Sequence, residues 1–266
     1  MCGRYIQIQT VEEIQKRFNV DVPDNLEIKP NFNVSPGDYA PVITNNDPHE
    51  VQLFKFGLTP FWAKKQMYII NARAEGDRNK ENDPNYHGAM DIITKPVFRK
   101  PIRSQRCLIL ADAFYEGTIK ERLSKPYVIY LRNHENPFAF AGIWDTWVNK
   151  ETGEEVNSFS IITTTANSLI RKIPHHRSPV ILPRHAEAKW LNTSTPLTDV
   201  TRLLIPYPGE KMNAYPVSPS VKNPKLKESK LIEPKGERLV PEYERSLKTD
   251  LELLGMGRYK GRNNLS

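Results

Sequence analysis

Prolines constrain this chain more than any other residue type. There are 22 of them. Each fixes its own φ at about −65° and donates no backbone hydrogen bond, so it ends helices and sits at the edges or ends of strands. Only short elements fit between them. The intervening runs are rich in Val, Ile, Phe, Tyr and Trp: APVIT, EVQLFKFGLT, RCLILADAFY, KPYVIYLR, FAFAGIWDTW, SFSIITTTA, PVILP and MNAYPVS. Most are bounded by turn residues and read as strands. The stretches 133–137 and 149–153 read as hairpin connections.

Helices are few. Thr10 to Phe18 has capping-box spacing at Thr10 and Glu13, and apolar residues at Val11, Ile14 and Phe18. Two more helices are expected at 185–192 and 195–205, the second with Thr195 as cap and Pro196 in its first position. PDNLEIKPNFNVSPGD, residues 23–38, reads as loop. No strand–helix–strand alternation and no repeat is visible. The expected fold is α+β, mainly antiparallel β, with sheets curled into a barrel-like core and a few peripheral helices. One domain is expected over 1–235, followed by a polar, mobile tail over 236–266.

Composition narrows the setting. Of 266 residues, 38% are hydrophobic, enough for a sizeable core. No run of eighteen apolar residues occurs, which argues against a membrane span. The chain does not open with a basic stretch followed by an apolar one, so a secretory signal is not expected. Two cysteines, Cys2 and Cys107, make no disulfide framework and suit an intracellular, reducing compartment. No CxxC or HxxxH spacing is present, so no metal is expected. Lys and Arg number 38 against 31 acids, a net charge of +7 that suits a polyanionic partner.

Five places carry chemistry. Cys2 follows Met1; trimming of Met1 before so small a residue leaves an α-amine beside a thiol, although a second-position cysteine can also be incidental. INARAEG puts Asn71, Arg73 and Glu75 on one face of a strand, an unusual load unless that face is simply solvated. DAFYEG ends an apolar strand at Glu116, where burial would raise a carboxyl pKa; an ordinary strand-end acid is the alternative. IPHHRSPVIL supplies His175, His176 and Arg177, a residue type that titrates near neutrality beside one that grips phosphate, or else an exposed basic loop. GLTPFWAKK places rings beside lysines, as at single-strand binding surfaces or at a core edge with solvated lysines.

MCGRY, NVSPG at 33–37, GLTPFWAK, INARAE, VFR…RCLILADAFYE, AFAGIWDTW, SIITTTAN, HHRSPVIL and YPVSPSVKNP occur in that order. Together they resemble the SOS-response-associated peptidase family, abasic-site processing proteins that shield such lesions in single-stranded DNA. The resemblance covers residues 2–234. It implies that Cys2, after loss of Met1, is the nucleophile. Its amine, with a reference pKa of about 7.7–8.0, would form a Schiff base with the opened deoxyribose, and its thiol would close a thiazolidine. Asn71 would hold the N-terminus and the sugar. Glu116 would move protons, and His175 would assist ring opening and reversal. Arg73 and Arg177 would hold phosphates, with Arg4, Pro36 and Trp62 as further DNA contacts.

The resemblance implies single-stranded DNA with abasic sites as the partner, no cofactor, no metal, no membrane, and a monomer. The setting would be a nucleus in a eukaryote, or cytoplasm and nucleoid in a bacterium. Two other readings stay open: a self-processing cysteine peptidase with an N-terminal nucleophile, and a non-covalent binder of modified or single-stranded DNA. The chain departs from the family pattern at Gly117 and Phe56, where Trp is frequent, and at Ser178, where Met is frequent. Gly117 is expected to loosen the placement of Glu116.

Overall fold

The proline-bounded runs do form strands. A computed structural model describes residues 3–86, 88–132 and 136–241. In chain order its elements are β1 (Tyr5–Gln7), α1 (Val11–Phe18), β2 (Asn31–Val34), β3 (Tyr39–Thr44), β4 (Val51–Phe56), β5 (Asn71–Arg73), α2 (Met90–Thr94), α3 (Pro101–Ser104), β6 (Arg106–Ala111) and β7 (Ala113–Thr118). They continue with β8 (Arg122–Leu131), β9 (Phe138–Val148), β10 (Glu155–Thr165), α4 (Ser168–Lys172), β11 (Arg177–Pro179), β12 (Ile181–Leu182), α5 (Arg184–Leu191), α6 (Leu197–Arg202) and β13 (Met212–Pro216).

One sheet has five strands in the order β13-β8-β7-β1-β2, and the other has eight. Pairing is antiparallel except where β10 runs parallel to β4 and to β5. The fold is the expected sheet-dominated α+β class. RCLILADAFY, read as one strand, is two. Asp112 is where the chain leaves the larger sheet for the smaller. Its N–H donates to the Ile6 carbonyl at 2.8 Å, and its carboxylate accepts from the Ile8 N–H at 2.7 Å.

Strand alternation divides the core. Cys107 and Ile109 face the smaller sheet, where Tyr5, Phe114, Ile129 and Met212 meet Phe56, Phe140 and Phe159. Tyr5 packs edge-on against Phe56 at 5.7 Å and Phe140 at 5.8 Å. Leu108 and Leu110 face the other way, into a second cluster with Ile14, Ile143, Ile162 and Trp190 beneath the helices. Arg106 is buried and ties those helices down. Its guanidinium donates to the carbonyls of Ile102, Arg103, Trp190 and Asn192, at the C-terminal ends of α3 and α5 where partial negative charge gathers.

The Thr10–Glu13 capping box forms, with Thr10 N donating to Glu13 Oε2 at 2.9 Å and Glu13 N to Thr10 Oγ1 at 3.3 Å. Three expectations change. β2 lies inside the stretch read as loop, because Asn31 and Val34 find partners on β1. The helix expected over 195–205 is shorter. Pro196 is extended at its N-cap, and the Thr195 hydroxyl donates to the Lys189 carbonyl instead of capping. Packing also runs past 235: Leu239 N donates to the Ala214 carbonyl at 2.8 Å, and Asn213 brackets Val240. The rest of the expected tail, 242–266, lies outside the described residues, as do His134 and most of the first hairpin connection. Among the described residues no helix is long and apolar enough to cross a membrane.

Candidate active site

Glu116 lies on β7, between β1 and β8. The β1 register sets Tyr5 across from Phe114 and Ile6 across from Ala113. Extended by two residues, it brings Gly3 across from Glu116. Tyr115 N donates to the Arg4 carbonyl at 3.0 Å, which keeps that register. Cys2 itself lies outside the described residues. Glu116 is 5% exposed, and burial raises its pKa against the opposing positive charge of the chain's amino terminus. The sequence expectation for this carboxyl therefore agrees with its surroundings.

His175 reaches Glu116 from the far end of β10. Two residues past that strand, Asn167 caps α4, accepting from Ile170 N at 2.9 Å and donating to the Tyr207 carbonyl at 2.7 Å. The chain then turns, and His175 Nε2 comes within 3.5 Å of Glu116 Oε1. Its Nδ1 lies 3.0 Å from the Arg177 carbonyl and 3.2 Å from the Arg177 N–H. With the ring proton on Nδ1, the carbonyl accepts it and Nε2 can take a proton from Glu116. With the proton on Nε2, the Arg177 N–H donates to Nδ1 and Nε2 donates to Glu116. Either tautomer is satisfied, so the ring can accept a hydrogen bond from Glu116 or donate one to it.

Burial, ahead of the amino-terminal charge, lowers the His175 pKa to about 4. His176, stacked on it at 5.0 Å, is also lowered to about 4, by burial first and then by His175. Neither titrates near neutrality as expected from residue type. Both are neutral at pH 7.

Arg177 is 2% exposed. Its two terminal nitrogens donate to the two carboxylate oxygens of Glu75, the second at 3.1 Å, and to Thr163 Oγ1 at 3.0 Å. Glu75 is buried as well, as a buried guanidinium requires of its partner. Arg73 Nε lies 3.9 Å from Glu75, and its side chain is 28% exposed. The two expected phosphate grips therefore share one carboxylate. Arg73 is reachable from solvent; Arg177 is committed inside the protein, and a phosphate would have to compete with Glu75 for it. Asn71 heads the same strand, across from Ile161 on β10.

Arg4 sends one guanidinium nitrogen to Ser35 Oγ and the other to the Lys222 carbonyl at 3.2 Å. That places it beside the exposed Pro36. Asn33, buried, faces the carbonyls of Val221, Asn223 and Leu226, so NVSPG and YPVSPSVKNP occur together because one holds the other. Trp62 stands in a loop pinned from below. Phe61 N donates to Asp145 Oδ2 at 2.9 Å and Trp147 Nε1 to the Ala63 carbonyl at 2.8 Å. Phe61 and Trp62 are left 55% and 50% exposed. Contacts run from Glu116 through His175, Arg177 and Glu75 to Arg73. Arg4 meets Ser35, and its carbonyl accepts from Tyr115 N.

A family model described as SOS response associated peptidase matches residues 1–224. The chain belongs to the SOS response associated peptidase family. It is 36% identical over 241 residues to the abasic site processing protein YoqW of Bacillus subtilis, covering 88% of this chain and 99% of that one. It is 26% identical over 229 residues to the abasic site processing protein HMCES of Xenopus tropicalis, covering 75% of this chain and 64% of that one. A crystal structure of a protein from Bacteroides thetaiotaomicron superposes with a TM-score of 0.74 at 30% identity, over 88% of this chain and all of that one.

Within this SOS response associated peptidase domain the departures have structural reasons. A Cβ on Gly117 would stand 1.8 Å from the Arg122 carbonyl oxygen, so the tight β7–β8 hairpin excludes any side chain there. Gly117 N also donates to Glu116 Oε1 at 3.3 Å, which holds the carboxylate instead of loosening it. Phe56 stacks on Phe159 at 5.2 Å in the core, and Ser178 is buried. Cys107 is buried and its thiol pKa is raised by burial, so it offers no second nucleophile. Among the described residues no cluster of His, Cys, Asp and Glu could hold a metal ion. A cavity of about 520 Å³ lies away from this site, lined in part by Phe18, His49, Arg184 and Glu187.

Proposed function

We propose that this protein recognises abasic sites in single-stranded DNA and joins them covalently through Cys2 once Met1 is removed. The relatives named as abasic site processing proteins support the substrate. The observation that carries the chemistry is the buried Glu116–His175 pair, 3.5 Å apart, with Glu116 on β7, which pairs with β1. The Cys2 amine adds to the C1′ aldehyde of the ring-opened sugar. Glu116, its pKa raised by burial, protonates the departing hydroxyl, and water leaves as the iminium forms. The Cys2 thiol then adds to the imine carbon, its proton passing to the nitrogen, and a thiazolidine closes. Glu116 recovers its proton from the iminium nitrogen, and His175, 3.5 Å away, orients the carboxyl for the same steps in reverse. Arg73, Arg4, Pro36 and Trp62 lie where a strand entering this site would pass. Arg177 supports His175 from behind, and it meets a phosphate only if Glu75 yields it. The place of action is an intracellular, reducing one, in keeping with the free thiol.

The test is a denaturing gel with an oligonucleotide carrying one abasic site. Wild type is expected to give a heat-stable shifted band, and Cys2→Ala to give none while still binding the strand. Cys2→Ser keeps the amine and loses the thiol, so its adduct should need borohydride to survive. A band of equal strength with Cys2→Ala would remove Cys2 from the chemistry. A mature chain that retains Met1 by intact mass and still forms the band would remove the aminothiol.

A further inference from the structure

Tyr68 is 51% exposed yet firmly seated. On one side of it, Ile69 exchanges two backbone hydrogen bonds with Leu58, at 3.0 and 3.1 Å. On the other, the Thr59 hydroxyl donates to the Met67 carbonyl at 2.6 Å and accepts from the Met67 N–H at 3.1 Å. The residue between these two clamps has little freedom of its own. Beneath it lie two glycines in the left-handed region, Gly57 with φ 111° and Gly37 with φ 95°. A Cβ on Gly57 would stand 3.0 Å from Tyr68 Cδ1, and one on Gly37 would stand 3.6 Å from Cε1. Because both positions lack a side chain, the ring rests against bare backbone, and half of its surface is left to solvent.

The surroundings define what would cover that ring. Tyr68 is three residues before Asn71, and Gly37 follows Pro36. Tyr39, 52% exposed, carries the Lys55 ammonium 5.2 Å from its ring centroid. Phe61 carries Lys100 at 4.7 Å, and Lys64 and Lys65 are exposed beside it. Exposed rings interleaved with ammonium groups suit a chain that alternates flat bases with phosphates. The lysines break up any continuous apolar face of the kind a protein or a lipid surface would need.

We infer that Tyr68 is a stacking platform for the base next to the lesion, with Lys55 and Tyr39 continuing the strand's path. This rests on the DNA reading above and adds to it a binding residue outside the family motifs. A ring already fixed on one face loses little freedom when a base lands on the other, so its contribution to affinity is nearly undiminished.

The experiment uses the full chain and a single-stranded oligonucleotide with a stable tetrahydrofuran abasic analogue flanked by 2-aminopurine, so that binding is read without chemistry. Wild type is expected to quench the 2-aminopurine. Tyr68→Phe should keep both quenching and affinity. Tyr68→Ala and Tyr68→Leu should lose the quenching and bind roughly five- to a hundredfold more weakly. Tyr68→Leu keeps the bulk over the glycines and decides the matter should Tyr68→Ala fail to fold. Quenching and affinity unchanged in Tyr68→Leu would overturn the platform, leaving the patch to another partner. The same variants on a natural abasic site separate the two ideas. Loss of stacking with no adduct even from wild type would uphold the platform and sink the covalent reading. An adduct from wild type with stacking indifferent to Tyr68 would do the reverse.

Discussion

Glu75, Glu116, His175 and Arg177 are each less than a tenth exposed, whereas Phe61, Trp62 and Tyr68 are each at least half exposed. The first group holds ionisable side chains away from water. The second holds rings out into it. Each is the opposite of what stability alone favours, since buried charge is costly and exposed aromatic surface forgoes burial. Within the interior group, burial raises the Glu116 pKa and lowers that of His175, which suits proton transfer. The rim is fixed by backbone and indole hydrogen bonds from beneath, which suits gripping a flexible strand. Under the proposed function, the floor would carry the chemistry and the rim the affinity.

The largest effect expected tests that division at the floor. Glu116→Gln and His175→Ala should slow adduct formation by about a hundred- to ten-thousandfold while single-strand affinity stays near wild type. Rapid-quench gels beside anisotropy titrations give both numbers. A parallel loss of affinity would mean that the floor also grips.

Next in size is the ion pair. Glu75→Ala leaves a buried guanidinium without its carboxylate and should destabilise the fold by about 3–5 kcal/mol. That corresponds to a fall in Tm of roughly 10 °C for a domain of this size. Denaturant unfolding measures it. Stability equal to wild type would show that Arg177 finds another partner and that the floor is less rigid than its contacts imply.

At the rim the effects should be on affinity alone. Trp62→Ala should weaken single-strand binding by roughly five- to a hundredfold with Tm unchanged. A Tm fall comparable to that of Glu75→Ala would erase the contrast between the two regions. Smallest is Arg73→Ala, which should flatten the plot of log affinity against log salt by roughly 0.7 for one lost phosphate contact on a single strand. Arg177→Ala should instead lower stability first, because its guanidinium is already paired inside.

Strand runs were legible because alternation and β-branched residues mark half-buried strands, as in RCLIL, where successive residues enter different cores. The switch of sheet at Asp112 was not, since an aspartate inside an apolar run carries no local sign that it will serve the backbone of residues 104 positions away. Glu116 could be read as buried because its strand is apolar. Glu75 was expected on one strand face with Arg73, but β5 ends at Arg73, and its partner could not be read because Arg177 is brought to it by a β10–β11 pairing that no local pattern announces. Tyr68 escaped notice for a related reason. Its support is two glycines 11 and 31 residues away, and a half-exposed tyrosine looks the same in sequence as a buried one.

The pairing of Tyr5 with Phe114 has a consequence for how the molecule is made. More than a hundred residues must be synthesised after β1 before its β7 partner exists. At roughly 5–20 residues per second, that delay is about 5–20 s. Throughout it β1 can lie against β2 alone, and the sheet that walls in Glu116 cannot close. Residues 3–7 therefore stay without their β7 partner until translation has passed Thr118.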